Sequence, residues 1–307
     1  MEVSTDLRRI IKNQAKNDYA LLNNERKVHQ MIKKRKAIFC MALAAILWSA
    51  GGVLIKWIDW HPMSIAGGRS IIAAAIIGFA FRKERLSFSK SQWAGAVAYC
   101  SCVSLFVIAT KLTTAANAIL LQYTAPIYVA LLSGWLLGEK VTRRDWLIIF
   151  TVCCGMVFFF FDKVTTGGML GNLCAVASGI SFALFILFMR MQKDGSPYGS
   201  VLLGNLLTFA LSLFFWSGNS LAITNLIGIS LLGVFQLGIS YVLYSYAIRH
   251  VEALDATLIT SIEPILNPIW VFLLFGEQPG LYSMIGGLIV LGAITLRYWF
   301  DSKRNNE

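Results

Sequence analysis

Charge is scarce in this chain of 307 residues: 14% are Asp, Glu, Lys or Arg, against 57% hydrophobic. So dilute a polar complement, with a mean hydropathy of +0.65, excludes a soluble domain of this length and places the chain in a bilayer. Histidine is scarcer still. His29, His61 and His250 are dispersed in the tail and loops, without a Ser, Cys or carboxylate partner at a diagnostic spacing, so the sequence is not read as an enzyme. A phosphate-cradling glycine loop is missing, which removes any visible ATP drive. The cysteines, Cys40, Cys100, Cys102, Cys153, Cys154 and Cys174, all fall in apolar runs. None has zinc-site spacing, so they read as small buried hydrophobes, and neither a metal nor another cofactor is expected.

What the chain does hold is long apolar runs. Ten reach the length needed to cross hydrocarbon and predict transmembrane helices at 37–57, 63–81, 93–110, 115–137, 145–161, 168–189, 198–216, 226–248, 254–275 and 281–300. The net charge of +11 is unevenly placed. Lys and Arg crowd the N-terminus, alternate loops and the C-terminus, while the remaining loops carry only Lys56, Lys111 and Lys163. Positive loops stay inside, so both termini are expected in the cytoplasm of a multi-pass protein of the plasma (inner) membrane, with no nucleic-acid partner. The basic segment 1–36 lacks a following small-residue cleavage site, so the first helix is expected to stay as an anchor. That segment reads either as a solvated cytoplasmic retention signal or as a surface for anionic membrane lipid.

The stretch Leu254 to Glu277 has an earlier copy at Ala116 to Glu139. Pro126 matches Pro264 and Gly138-Glu139 matches Gly276-Glu277, both at an offset of 138. Lys111 with Arg249, Asn117 with Asp255, Ala118 with Ala256 and Leu120 with Leu258 keep the same offset. Trp48 to Lys56 matches Phe182 to Arg190 with a shift of 134. A duplication spanning five helices inverts the second half, the build of carriers whose site lies between the repeats.

These residues carry a resemblance. Tyr244-x-x-Ala247, Ala253-x-x-Ala256, Glu263-Pro264 and Gly276-Glu277 in the second half, with Ala109, Ala115-Ala116, Pro126, Leu137-Gly138-Glu139 and Trp48 in the first, resemble the ten-helix EamA-type branch of the drug/metabolite transporter superfamily over residues 37–300. The resemblance implies an all-α membrane protein of ten transmembrane helices, arranged as two inverted five-helix repeats (37–161 and 168–300) around a central cavity, between the basic segment 1–36 and a tail 301–307. It also implies movement of small metabolites, often outward, amino acids among them. Asn267-Pro268 is not expected of every member.

Polar residues inside the runs are the candidate site. Thr260, Glu263 and Asn267 fall within an arc of about 60° on a helix, away from lipid. Pro126, Pro264 and Pro268 are expected to kink their helices; Pro264 and Pro268 each remove a backbone donor, leaving the carbonyls of Thr260 and Pro264 to find other partners. Glu263 reads as a proton or amine site, or as a protonated carboxyl that fixes packing. Arg69 reads as a clamp for a substrate carboxylate or phosphate, or as a structural bridge to Glu263 or to broken-helix carbonyls. Gln236, Ser240 and Tyr244 form a second stripe, Gln122 and Tyr123 precede Pro126, and Trp48 is a pocket wall or a packing residue. Glu139 and Glu277 read as caps or gate packing. The expected function is a secondary carrier that exports small polar metabolites, amino acids or related amines, by alternating access. Opposite charges in one cavity suit a zwitterionic substrate, and protons are a further partner through Glu263. An importer or exchanger of anionic or phosphorylated metabolites, using Arg69, Lys56 and Lys111, and a non-transporting membrane scaffold are the alternatives.

Overall fold

In hydrocarbon each backbone polar group must be satisfied within its own segment, so the apolar runs fold as helices wherever proline does not interrupt them. The computed structural model describes residues 30–113, 115–163, 168–266, 270 and 281–304, and among these it is nearly all helix. In chain order the helices are α1 (Gln30–Trp57), α2 (Pro62–Ala80), α3 (Lys90–Leu112), α4 (Ala115–Gln122), α5 (Ala125–Leu137), α6 (Arg143–Lys163), α7 (Met169–Met191), α8 (Pro197–Ser212), α9 (Ile223–Ala247), α10 (Ala253–Thr260) and α11 (Leu281–Arg304). Six of them, α1, α2, α3, α7, α8 extended to Phe215, and α9, are long and apolar enough to cross a membrane, and α5 is a shorter apolar helix. The expected segments 1–29, Asn267-Pro268 and Gly276-Glu277 lie outside the described residues.

Local signals set the helix starts. Pro62 opens α2 behind His61, whose Nδ1 accepts the Met63 amide at 3.3 Å. Ser89 caps α3 by accepting the Gln92 amide at 3.2 Å, and the Gln92 side chain returns to accept the Phe88 amide at 2.8 Å. In α9 the segment Leu232–Ile239 is π-helical, between α-helical Ile223–Leu231 and Ser240–Ala247.

Two runs expected as single helices kinked at Pro126 and at Pro264 are broken, and at equivalent places. The run 115–137 stops at Gln122 and restarts at Ala125, with Pro126 in the first turn of α5. The run from 254 stops at Thr260, turns at Ser261, and is helical again over 262–266. Gln122 and Thr260 are 138 positions apart, the offset of the repeat. The cause is shared: a proline four residues later supplies no N–H to either carbonyl, and the backbone breaks where that bond is missing. Helix α7 lies against the first break so closely that a Cβ on Gly179 would sit 2.7 Å from the Gln122 carbonyl oxygen.

Helices α3 and α7 pack along most of their length and form the centre; α8 leans on α2 and α3, α9 on α2, and α6 on α11. The ends of the bundle carry matching ties. At one end Arg190 donates from Nε to Glu139 at 2.8 Å and from Nη1 to the carbonyls of Ile248 and Arg249 at 3.1 Å. Glu139 also accepts the Ala253 amide, the first of α10, at 2.9 Å, and Arg249 pairs with Glu84. At the other end Lys56 donates to the Thr113 carbonyl at 2.7 Å and Lys111 to the Ile58 carbonyl. Lys56 and Lys111 are the repeat equivalents of Arg190 and Arg249; Lys56, Lys111 and Arg190 reach carbonyls where helices end, and Arg249 reaches Glu84 instead. Burial, with Lys33, Arg249 and Arg190 nearby, lowers the His250 pKa, so this histidine adds no charge to its end at neutral pH.

The two acids at the Arg190 end differ in burial. The Glu139 side chain is 18% exposed and serves two donors on different helices, whereas that of Glu84 is 36% exposed. Glu139→Ala should therefore lower stability in detergent by about 1–3 kcal/mol, and Glu84→Ala by at most about 1 kcal/mol. Thermal unfolding of the two variants, side by side with the parent, checks that order.

Candidate functional site

A cavity of about 30 Å³ lies between the two halves, lined by Trp48, Arg69, Cys102, Val103, Phe106, Gln122, Phe182, Gln236, Leu237, Tyr241 and Glu263. That volume holds a water or two, so the space between these side chains is too small for a metabolite in this conformation. Five of the sequence-expected residues, Trp48, Arg69, Gln122, Gln236 and Glu263, share this wall. The first three come from the first half and the last two from the second.

Arg69 is 1% exposed on α2, where Ala66-Gly67-Gly68 leave room for neighbouring helices. Its Nη1 donates to Gln236 Oε1 at 2.9 Å and its Nη2 to the Val103 carbonyl at 3.1 Å, while its Nε has no acceptor among the described residues. Arg69 and Glu263 do not form an ion pair with each other. Each borders the cavity with its own polar partners.

Glu263 is 5% exposed and lies 2.6 Å from the hydroxyl of Tyr123. The same hydroxyl donates at 2.6 Å to the Thr260 carbonyl, the acceptor that Pro264 leaves without its helical N–H. Tyr123 stands at the break between α4 and α5, so one broken run satisfies the other. A phenol has a single proton. With that proton on Thr260, the contact to Glu263 is a hydrogen bond only if the carboxyl brings its own proton; with it on Glu263, the Thr260 carbonyl loses its donor.

The other expected residues support this centre from behind. The Thr260 hydroxyl bonds back to the Thr257 carbonyl at 3.0 Å, so its side chain belongs to its own helix and its carbonyl is the group that matters. Ser240 accepts the Trp48 indole N–H at 2.8 Å and donates to the Gln236 carbonyl. Gln122 donates to Ser178 at 2.7 Å, and Ser178 to the Cys102 carbonyl at 2.9 Å. Tyr244 packs its ring 5.2 Å from Trp48 and is buried, with no protein partner for its hydroxyl. Pro126 and Pro264 stand at the breaks, and Asn267 and Pro268 lie outside the described residues.

Sequence reasoning missed Tyr241 and Phe182. Tyr241 lies tilted against Trp48 and edge-on to Tyr99, with ring centres 4.9 Å apart in both, and Phe182 meets Trp48 edge-on at 6.1 Å. Phe182 was findable, because it is the repeat equivalent of Trp48. Tyr241 lies off the stripe of Gln236, Ser240 and Tyr244, and the π-helical turn before it changes which side chains face inward.

The chain matches the family described as EamA-like transporter family over residues 35–161 and 169–299. An uncharacterized transporter of Archaeoglobus fulgidus is 29% identical over 201 residues, 64% of this chain and 72% of that protein. A second uncharacterized transporter of the same organism is 24% identical over 284 residues, 85% of this chain and 96% of that protein. The uncharacterized transporter YdfC of Bacillus subtilis is 27% identical over 217 residues, 66% of this chain and 68% of that protein. A protein crystal structure superposes with a TM-score of 0.72 at 15% identity, covering 87% of this chain and 98% of that one, which makes it a neighbour in fold.

Removing the bridging hydroxyl tests its weight. Tyr123→Phe keeps the ring and leaves the Thr260 carbonyl without its donor, at an expected cost of about 1–3 kcal/mol in thermal unfolding. A melt unchanged from the parent would mean that the carbonyl finds a replacement donor.

Proposed function

The chain belongs to the EamA-like transporter family, and on that premise we propose that it is a secondary carrier exporting a small polar metabolite, an amino acid or a related amine, by alternating access. The observation that carries this reading is the placement of Arg69, from the first half, and Glu263, from the second, on the wall of one buried cavity without pairing to each other. A zwitterion supplies both missing partners: its carboxylate suits the guanidinium, whose Nε has no acceptor among the described residues, and its ammonium suits the Glu263 carboxyl. Trp48, Phe182 and Tyr241 then form the apolar wall that a side chain needs.

The narrow cavity fits a carrier that must widen to load and release its substrate. Opening to either side requires the halves to separate, and the ties to be released differ by end: Glu139 with Arg190 and Ala253, and Glu84 with Arg249, at one; Trp60 to the Ser220 carbonyl and Thr113 to Asn172 at the other. We read the Arg190 end as cytoplasmic, since the Lys- and Arg-rich loops lead there, which puts both termini of a ten-span chain inside the plasma (inner) membrane. On this reading 37–161 and 168–300 are the two repeats. Export, as the direction, rests on the family resemblance. An anionic substrate gains less support, because Lys56 and Lys111 are engaged by carbonyls away from the cavity and Glu263 would repel it.

Proton coupling follows from the shared phenol proton. A protonated Glu263 holds Tyr123 and Thr260 together, and an incoming ammonium favours the carboxylate and frees the bridge.

Reconstituted protein should exchange labelled amino acids across proteoliposomes; no counterflow with any member of a full panel would sink the substrate class. Arg69→Gln should weaken carboxylate-bearing substrates by about ten- to a hundredfold. Glu263→Gln should keep counterflow and flatten the pH dependence of net flux, so an unchanged pH profile would remove the proton role.

A further inference from the structure

The seam between α2 and α9 is tight at its middle and open at one end. A Cβ on Gly233 would lie 2.6 Å from Ile72 Cβ and 3.0 Å from the Arg69 carbonyl, and one on Gly238 would lie 2.6 Å from Ile76 Cδ1. The helices touch there because neither glycine has a side chain. Beyond Gly238 the facing residues are larger, and the seam widens into a groove of about 440 Å³ lined by Ala75, Ile76, Phe79, Ala80, Ile239, Val242 and Leu243. Every lining side chain is apolar. Phe79 is 69% exposed, so the groove opens sideways, where a membrane protein meets acyl chains.

The mouth of the groove carries charge. Arg82 follows α2 directly, and its guanidinium lies 4.6 Å from the centre of the Phe79 ring, over a residue of the groove wall. Lys83 belongs to the same turn and Arg85 follows it, and the acid between them, Glu84, is paired with Arg249. An apolar slot as deep as the last turns of a membrane helix, ending at a cation at headgroup level, is complementary to a lipid that has an acyl chain and a negative headgroup.

We propose that this groove binds one acyl chain of an anionic glycerophospholipid, with its phosphate held by Arg82 and supported by Lys83 and Arg85. The site does not depend on what the central cavity carries. It does share a seam with it: the Arg69–Gln236 bond joins the same two helices deeper in the bundle, so lipid in the groove holds together the helices that set the cavity wall.

The test uses the full-length chain in detergent, with phosphatidylglycerol, phosphatidylcholine or inorganic phosphate added. Bound lipid is counted by native mass spectrometry and stability is followed by thermal unfolding. Phosphatidylglycerol should be retained and should raise the melting temperature, while phosphatidylcholine and phosphate should do neither. Arg82→Ala, in an exposed turn, should weaken phosphatidylglycerol retention about fivefold, and Arg82→Lys should recover most of it. Ala75→Trp, which fills the slot, should abolish retention and melt as the parent does without lipid. Equal retention of the two lipids, or phosphatidylglycerol retention unchanged in both Arg82→Ala and Ala75→Trp, overturns the site. A phosphate-induced rise equal to that of the lipid also overturns it, leaving a bare anion site.

Discussion

One carbonyl oxygen organises the centre of this protein. Pro264 deprives Thr260 of its helical partner at membrane depth, where water is not at hand to replace it, and an unsatisfied carbonyl there costs several kcal/mol. Tyr123 satisfies it from the other half at 2.6 Å. To do so, the hydroxyl must stand at a break of its own, and Pro126 provides that break by the same chemistry. The defect in one copy of the helix is thus remedied from the break in the other, and the cavity wall forms beside them.

The ties at the two ends of the bundle follow a comparable logic with a different outcome. Lys56 and Lys111 in one copy and Arg190 in the other meet carbonyls at helix ends, while Arg249 meets Glu84. Among the described residues the arginine end also has acids paired with its bases, Glu139 and Glu84, and the planar guanidinium of Arg190 serves a carboxylate and two carbonyls at once, which an ammonium does less well. Over the described residues the two ends thus share the bases of the repeat and differ in the groups that meet them. The cavity repeats that pattern, since Glu263 stands where the first copy has Ala125.

Much of this was legible in the sequence. The apolar runs gave the helices to within a few residues at most ends, because helix length in hydrocarbon is dictated by thickness and Pro62, Ser89 and Pro197 mark starts by local chemistry. The offset of 138 paired the two prolines behind the breaks, although Tyr123 was read as part of one kinked helix: Pro126 signals a disturbance without saying whether the helix bends or ends. Arg69, Glu263, Gln122 and Gln236 were singled out because a polar group in a membrane run needs a reason, and with Trp48 they line one cavity. Thr260 was singled out for its hydroxyl, while its carbonyl makes the contact, a distinction side-chain patterns do not carry. Tyr241 was missed because the periodicity of a regular helix does not hold across a π-helical turn.

That turn also bears on how the two copies diverged. In Leu232–Ile239 the backbone holds more residues per turn than an α-helix and does so without a loop. Helix α3, its counterpart in the first copy, is α-helical throughout. A single-codon deletion there would leave a helix of ordinary winding, with everything after it rotated by about 100° against everything before. Among natural variants, length changes of one residue inside this helix would thus be able to redraw the pocket's lining without any change of residue type.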